Sequence, residues 1–326
     1  MGLIPSYQSL GITATLIFVS LRIIQGLAIG GEIPGAITFV TEHIKNRPGL
    51  ACSMIFLFIN TGIILADVVH ALITSHLSRA ETSAYGWRIA FILGGILAII
   101  SYFLRTRLEE TPAFIKEREI THKVPLYHLL RRHLPAVIAG ILLTSLGASI
   151  VSILYLYIVS YLQTINHYPT DQVTTLTLAG LISFSLAIFI IGALSDYLGR
   201  KKLILLGSML FIVFSLSFFK MIVSHYDYLL IWFILWGIIS GLITGCFPCL
   251  LAEIFPVNVR YSGVAFCYNV GFAIFGGLSP LAASLLIHRT HNLSTPAWVL
   301  IATGIFSLIG LIIIQQSIKH HKIQTD

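Results

Sequence analysis

The sequence predicts an all-α integral membrane protein with nine transmembrane helices, and three observations carry that expectation. Hydrophobic residues fill 56% of the 326 positions, charged residues only 10%, and mean hydropathy is +0.91, whereas soluble domains devote about a quarter of their residues to charge. Nine stretches of about 20 residues or more are nearly free of charge, the length an α-helix needs to cross a hydrocarbon layer of roughly 30 Å. Their apolar runs are continuous, as from Leu186 to Ile191, without the period-two alternation of a membrane barrel.

The first stretch covers 12–41 and contains Arg22; Glu42, Arg47 and Gly49 separate or open the second, 50–76. The third, 87–104, is followed by the longest loop, 105–134, which holds Glu109, Glu110, Lys116, Glu117, Arg118 and Glu119. Six stretches follow, at 135–162, 173–194, 203–223, 228–252, 261–288 and 296–317, with a basic loop around Asp196 between the second and third of them. No cleavable signal peptide is visible at the amino terminus. The cysteines, Cys52, Cys246, Cys249 and Cys267, all fall inside apolar stretches and read as buried thiols. Cys246 and Cys249 have C-x-x-C spacing, but no second ligand pair accompanies them, so packing is the expectation.

The formal charge of +7 does not point to a nucleic-acid partner, because in a membrane protein the informative quantity is which loops carry Lys and Arg. Fifteen fall on one side: Lys45, Arg47, Arg105, Arg107, Lys116, Arg118, Lys123, Arg131, Arg132, Arg200, Lys201, Lys202, Arg260, Lys319 and Lys322. Arg79, Arg88, Lys220 and Arg289 form the other side. The positive-inside rule makes the basic side cytoplasmic, so the chain starts outside and its carboxyl terminus is cytoplasmic, in a bacterial inner membrane.

Sliding the chain on itself by 211 residues brings Gly26 onto Gly237, Gly30 onto Gly241 and Glu42 onto Glu253 without a gap. The first and seventh stretches then look like equivalent members of two repeats. Partners for the fourth to sixth stretches would precede residue 12. The expected parent is a twelve-helix protein of two six-helix halves. In that reading residues 1–104 are the remnant of the amino-terminal half (helices 4–6), residues 105–134 are a cytoplasmic connecting loop, and residues 135–326 are the six-helix second half.

Gly192-Ala193-Leu194-Ser195-Asp196-Tyr197-Leu198-Gly199-Arg200-Lys201-Lys202 fits a G-x-L-x-D-x-x-G-R-K/R-x loop, in which Gly199 permits a tight turn and Asp196 suits a helix amino terminus. On that loop the chain resembles the major facilitator superfamily. Further runs are Arg22-x-x-Gln25-Gly26 with Gly30-Gly31-Glu32; Gly86-Trp87-Arg88; and Leu108 through Phe114. To these add Glu253-x-x-Pro256 with Arg260-Tyr261-Ser262-Gly263, and Tyr268-Asn269 with Phe275-Gly276-Gly277 and Pro280. Together they are similar to the metabolite:proton symporters that include proline/betaine, citrate, α-ketoglutarate and shikimate transporters. The resemblance implies a major facilitator fold, with nine of twelve helices present. It also implies proton-coupled import of a small zwitterionic or anionic metabolite across the lipid bilayer, and conformational gating by Gly192, Asp196, Gly199, Arg200, Lys201, Glu253 and Arg260. One departure is Pro48, which separates Arg47 from Gly49 where relatives have the two adjacent.

An ionisable side chain at mid-membrane costs about 2.5–3.5 kcal/mol for Arg on insertion scales unless it faces protein or water. Arg22 is therefore a candidate for binding substrate or coupling it to protons, with a structural role as the alternative. Gln25 shares its helix face. Glu32, ten residues later and about 15 Å along the axis, is a candidate proton carrier. Tyr155, Tyr157 and Tyr161 suit either a cavity wall for a quaternary ammonium group or interfacial anchoring, and Tyr157 and Tyr161 join the candidate set with Asn269. Asp67 and His70 read as a hydrated pair near the outer interface, and Gly237, Gly241 and Gly245 as a packing stripe. The leading expectation is a proline/betaine-type symporter. An organic-acid symporter and an inactive transporter fragment are the alternatives. No metal-ligand spacing or nucleophile motif points to an enzyme, and no cofactor is expected.

Overall fold

A computed structural model describes residues 1–5, 7–106 and 125–323. Among the described residues nine helices are long and apolar enough to cross a membrane. They are α1 (Ile12–His43), α2 (Pro48–His76), α3 (Thr82–Leu104), α4 (Leu134–Ile165), α5 (Thr170–Leu198), α6 (Arg200–Val223), α7 (Leu229–Glu253), α8 (Val257–Thr290) and α9 (Pro296–Gln316). Helix formation follows from the solvent: inside hydrocarbon each backbone N–H and C=O needs a partner from its own segment. The Leu108–Phe114 run and Lys116 lie outside the described residues.

Most helices overrun their apolar stretches by a few residues. α5 continues past position 194 through Asp196 to Leu198, and α6 begins at Arg200. Hydropathy marks where the hydrocarbon ends, whereas the helix ends where the backbone is forced to turn. Here Gly199 makes that turn at φ +90°, a conformation costly for any residue with a Cβ. In α7 the regular helix breaks between Thr244 and Phe247, because Pro248 supplies no N–H to the carbonyl of Thr244. Wide π-helical turns open α3 at Thr82–Gly86, interrupt α4 at Val151–Tyr157 and end it at Tyr161–Ile165, and interrupt α8 at Phe272–Gly276.

The chain divides into two compact units, Met1–Ile33 with Phe58–Thr111, and Pro34–Leu57 with Pro112–Asp326. In the first, α3 leans on α1 through an edge contact of Phe91 with Phe18 at 6.5 Å, and Arg88 donates to the carbonyl of Ile4 at 3.1 Å. A reciprocal cap starts the segment before α3: the Ser78 amide and hydroxyl donate to the Glu81 carboxylate, and the Glu81 amide donates back to the Ser78 hydroxyl. Those bonds hold the Glu81 carboxyl below its usual range.

The second unit holds the larger core, with Leu143, Leu146, Phe211, Phe218, Phe219, Trp236 and Phe247 buried. Because lipid gives helices no hydrophobic reason to associate, small residues and hydroxyls carry much of their packing. The Gly237, Gly241 and Gly245 stripe of α7 lies against α5 at Gly180, Ala187 and Ile188. Ser149 of α4 meets Ser279 of α8 at 2.9 Å, and Ser208 of α6 meets Ser307 of α9 at 3.2 Å.

Candidate functional site

The site begins at the first turn of α2. Pro48 is its first residue, a position whose N–H would have no helical partner anyway. The departure from the family pattern therefore starts the helix cleanly. The next two amides, Gly49 and Leu50, point out of the helix end and donate to the two carboxylate oxygens of Asp196 at 2.9 and 3.1 Å. Asp196 sits in the last turn of α5, where its own helix dipole disfavours an anion. The α2 amino terminus and Arg200 offset that cost, Arg200 donating to Asp196 Oδ1 at 2.6 Å. Close approach of the helices requires two glycines. A Cβ on Gly49 would overlap Ser195, and one on Gly192 would overlap Ser53.

Arg200 also donates to Glu253 Oε1, at the end of α7, at 2.7 Å. The guanidinium thus bridges two carboxylates from two helices, the use for which its planar fork is suited. Lys201 adds positive charge beside Glu253. A second pair joins Arg260 of α8 to Glu42 at the end of α1 at 3.3 Å. The Nε of Arg260 donates to the carbonyls of Ala252 and Phe255 as well, closing the carboxyl end of α7. Glu42 was not among the residues singled out for a role, although the 211-residue register that aligns it with Glu253 is the signal that finds it.

The candidate binding residues are distributed differently. Arg22 lies exposed on α1, bonded to Gln25 Oε1 at 3.2 Å and capped by the rings of Phe18 and Phe91 at 5.2 and 5.7 Å. Glu32 is exposed on the same helix. Tyr157 is half-buried and accepts a hydrogen bond from Ser284 at 3.3 Å. Tyr161, by contrast, is fully buried, and its hydroxyl donates to the carbonyl of Leu293 at 2.7 Å, which makes it a tether between α4 and the turn before α9. Asn269 is half-buried and donates to Ala265 one turn back at 2.8 Å. Tyr155 stacks on Phe184 at 4.5 Å. Asp67 and His70 are both exposed, and all four cysteines are buried free thiols.

A sequence profile described as Major Facilitator Superfamily matches residues 2–185 and 148–319. The chain belongs to the Major Facilitator Superfamily. Within it, the chain is 31% identical over 324 residues to "Proline/betaine transporter" of Escherichia coli K12, covering 95% of this chain and 64% of that protein. It is 29% identical over 322 residues to "Glycine betaine/proline/ectoine/pipecolic acid transporter OusA" of Dickeya dadantii, again 95% and 64%. A "Putative proline/betaine transporter" of Staphylococcus haemolyticus is 28% identical over 330 residues, covering 96% of this chain and 67% of that protein. The chain thus spans 64% of the length of the E. coli relative. The crystal structure of a double-tryptophan XylE mutant superposes with a TM-score of 0.68 at 14% identity, over 84% of this chain and 64% of that one. That likeness carries the fold, a multi-pass helical membrane protein, and the family is one of transporters rather than enzymes.

Proposed function

We propose that this superfamily member takes part in proton-coupled uptake of a small zwitterionic metabolite such as proline or betaine, with the basic-loop side facing the cytoplasm. The observation that carries the transport reading is the bidentate meeting of Asp196 with the α2 amino terminus. It joins two helix ends through directional polar bonds, which can break and reform as a unit. Gly192, Gly199, Arg200, Lys201, Glu253 and Arg260 then set the stability of the closed cytoplasmic side. The 15-to-4 distribution of basic residues supports the orientation, and similarity to relatives named for proline and betaine supports the substrate class. Residues 1–104 and 135–326 belong to the two repeat-related halves of such a transporter.

In this reading Arg22 faces the substrate carboxylate, for which its fork of donors is suited, with Gln25 holding it in place. Glu32 carries the proton. Tyr157 and Asn269 supply polar contacts from the second half, and Tyr161 keeps α4 in register with the outer turn. The test is uptake of labelled proline, glycine betaine and citrate by cells lacking their own carriers. One set expresses residues 1–326, and another a chimera extended at its amino terminus with the corresponding segment of the E. coli relative. Uncoupler-sensitive uptake of proline or betaine in either set supports the proposal. Uptake of citrate alone, or of none of the three in both sets, overturns it.

A further inference from the structure

Within the second unit a small cavity lies where four helices meet, lined by Tyr155 of α4, Thr177 of α5, Phe218 of α6, and Phe233 and Trp236 of α7. Thr177 and Trp236 each stand seven residues into their helices, about 10 Å along the axis, so the cavity belongs to the apolar part of the spans. The rings around it are held in place. The Trp236 indole packs against Phe211 and Phe218 at 4.7 and 5.0 Å, and Phe218 packs against Phe233 at 5.3 Å. Trp236 is only 2% exposed, and its buried Nε1, which can only donate, meets no acceptor among the described residues. Burying such a donor in an apolar interior is costly unless something accepts from it. Of the side chains that line the cavity, only Trp236, Thr177 and Tyr155 carry a polar atom. Thr177 commits its proton to the carbonyl of Val173 at 2.8 Å, which leaves lone pairs on Oγ1 to accept. Tyr155 is fixed by its stack on Phe184 at 4.5 Å.

We propose that this cavity is a binding site for one water molecule, which accepts from Trp236 Nε1, donates to Thr177 Oγ1 and makes its third bond with the Tyr155 hydroxyl. Size and polarity select that ligand. The cavity measures about 10 Å³, the threshold for a single water and far too little for a metabolite. Its aromatic walls would suit an ammonium group, but a methylated ammonium does not fit the space. A metal ion needs lone pairs, whereas no carboxylate lines the cavity and the indole offers a donor. Three polar partners are the usual number for a buried water. The site has a structural consequence. α5 and α7 already meet directly, Gly237 lying against Gly180 and Gly241 against Ala187. The water joins α4 to that pair through bonds that exchange, independently of which solute is transported.

Two measurements on the 326-residue chain in lipid nanodiscs test the site. The first is a density map fine enough to resolve ordered water. A peak is expected within about 3.2 Å of both Trp236 Nε1 and Thr177 Oγ1. The second is ultraviolet resonance Raman spectroscopy, whose indole N–H band reports whether that group is hydrogen-bonded. The chain has four tryptophans, and subtracting the spectrum of Trp236→Phe isolates the band of Trp236. That band is expected at the bonded position in the parent. It is expected to move to the free position when Thr177→Val and Tyr155→Phe are combined, because both hydroxyl partners of the water are then gone while the shape of the cavity stays nearly the same. Where the double variant does not fold, the density of the parent decides alone. An empty cavity in that density, an indole bonded directly to a protein oxygen, or a bonded band that persists in the folded double variant would each overturn the proposal.

Discussion

Replacing Asp196 with asparagine leaves the side chain's shape and removes its charge. In the native protein the carboxylate accepts from the Gly49 and Leu50 amides at 2.9 and 3.1 Å and pairs with Arg200 at 2.6 Å, with only 6% of its side chain exposed. Hydrogen bonds to a charged group contribute about 1.5–3 kcal/mol and neutral ones about 0.5–1.5 kcal/mol; asparagine keeps one acceptor oxygen and turns the other into a donor, so one amide bond is weakened and the other lost, about 3 kcal/mol together. Arg200 keeps Glu253 as a partner at 2.7 Å, so its own loss is smaller. At about 1.4 kcal/mol per factor of ten, the equilibrium for undocking the α2 end shifts by roughly 100-fold. Cys52 reports it, being wholly shielded while the end is docked. With Cys246, Cys249 and Cys267 replaced by serine in both backgrounds, alkylation by a maleimide proceeds through openings. Its rate therefore rises by about 100-fold in Asp196→Asn. Rates equal within about twofold would refute the assignment of Asp196 as the bond that holds this helix end.

Arg22→Lys keeps the charge but loses the planar fork and the ring contacts, and lowers uptake at least about tenfold at unchanged membrane abundance; uptake equal to the parent removes Arg22 from the site. A single cysteine at Lys201 resists an impermeant thiol reagent in intact cells and reacts in inverted vesicles, whereas ready labelling from outside reverses the orientation. Tyr161→Phe removes the donor to the half-buried carbonyl of Leu293 and lowers stability in detergent by about 1 kcal/mol, with the apparent affinity for substrate unchanged. A changed affinity would place Tyr161 at the substrate. Tyr168, outside the membrane spans, has its phenol pushed up to about 12 by burial and donates to the carbonyl of Ile222 at 2.6 Å. The folded protein thus holds that proton more tightly than the unfolded chain, whose tyrosine titrates near 10. Its contribution is complete below about pH 10 and is lost as pH rises toward 12. Tyr168→Phe should therefore flatten the decline in stability measured across that window.

The sequence by itself determined the membrane character, the number and order of the helices over the described residues, and the family. These rest on properties that each segment carries alone: the length of an apolar run, and a glycine and an aspartate at fixed offsets in one loop. It also suited Asp196 to a helix amino terminus, whose dipole favours an anion. Only the tertiary structure decided which partners met across the chain. Arg260 pairs with Glu42, 218 residues away, and Tyr161 with Leu293, 132 away. The reason is that helix packing in lipid is steered by small residues and directional polar bonds rather than by hydrophobicity. Helix existence is therefore legible in hydropathy, while the rotation of each helix, and so the task of its polar side chains, is not. Tyr161 shows the difference: its composition suited a cavity wall, and the turn of α4 on its axis sent the hydroxyl to a backbone carbonyl instead.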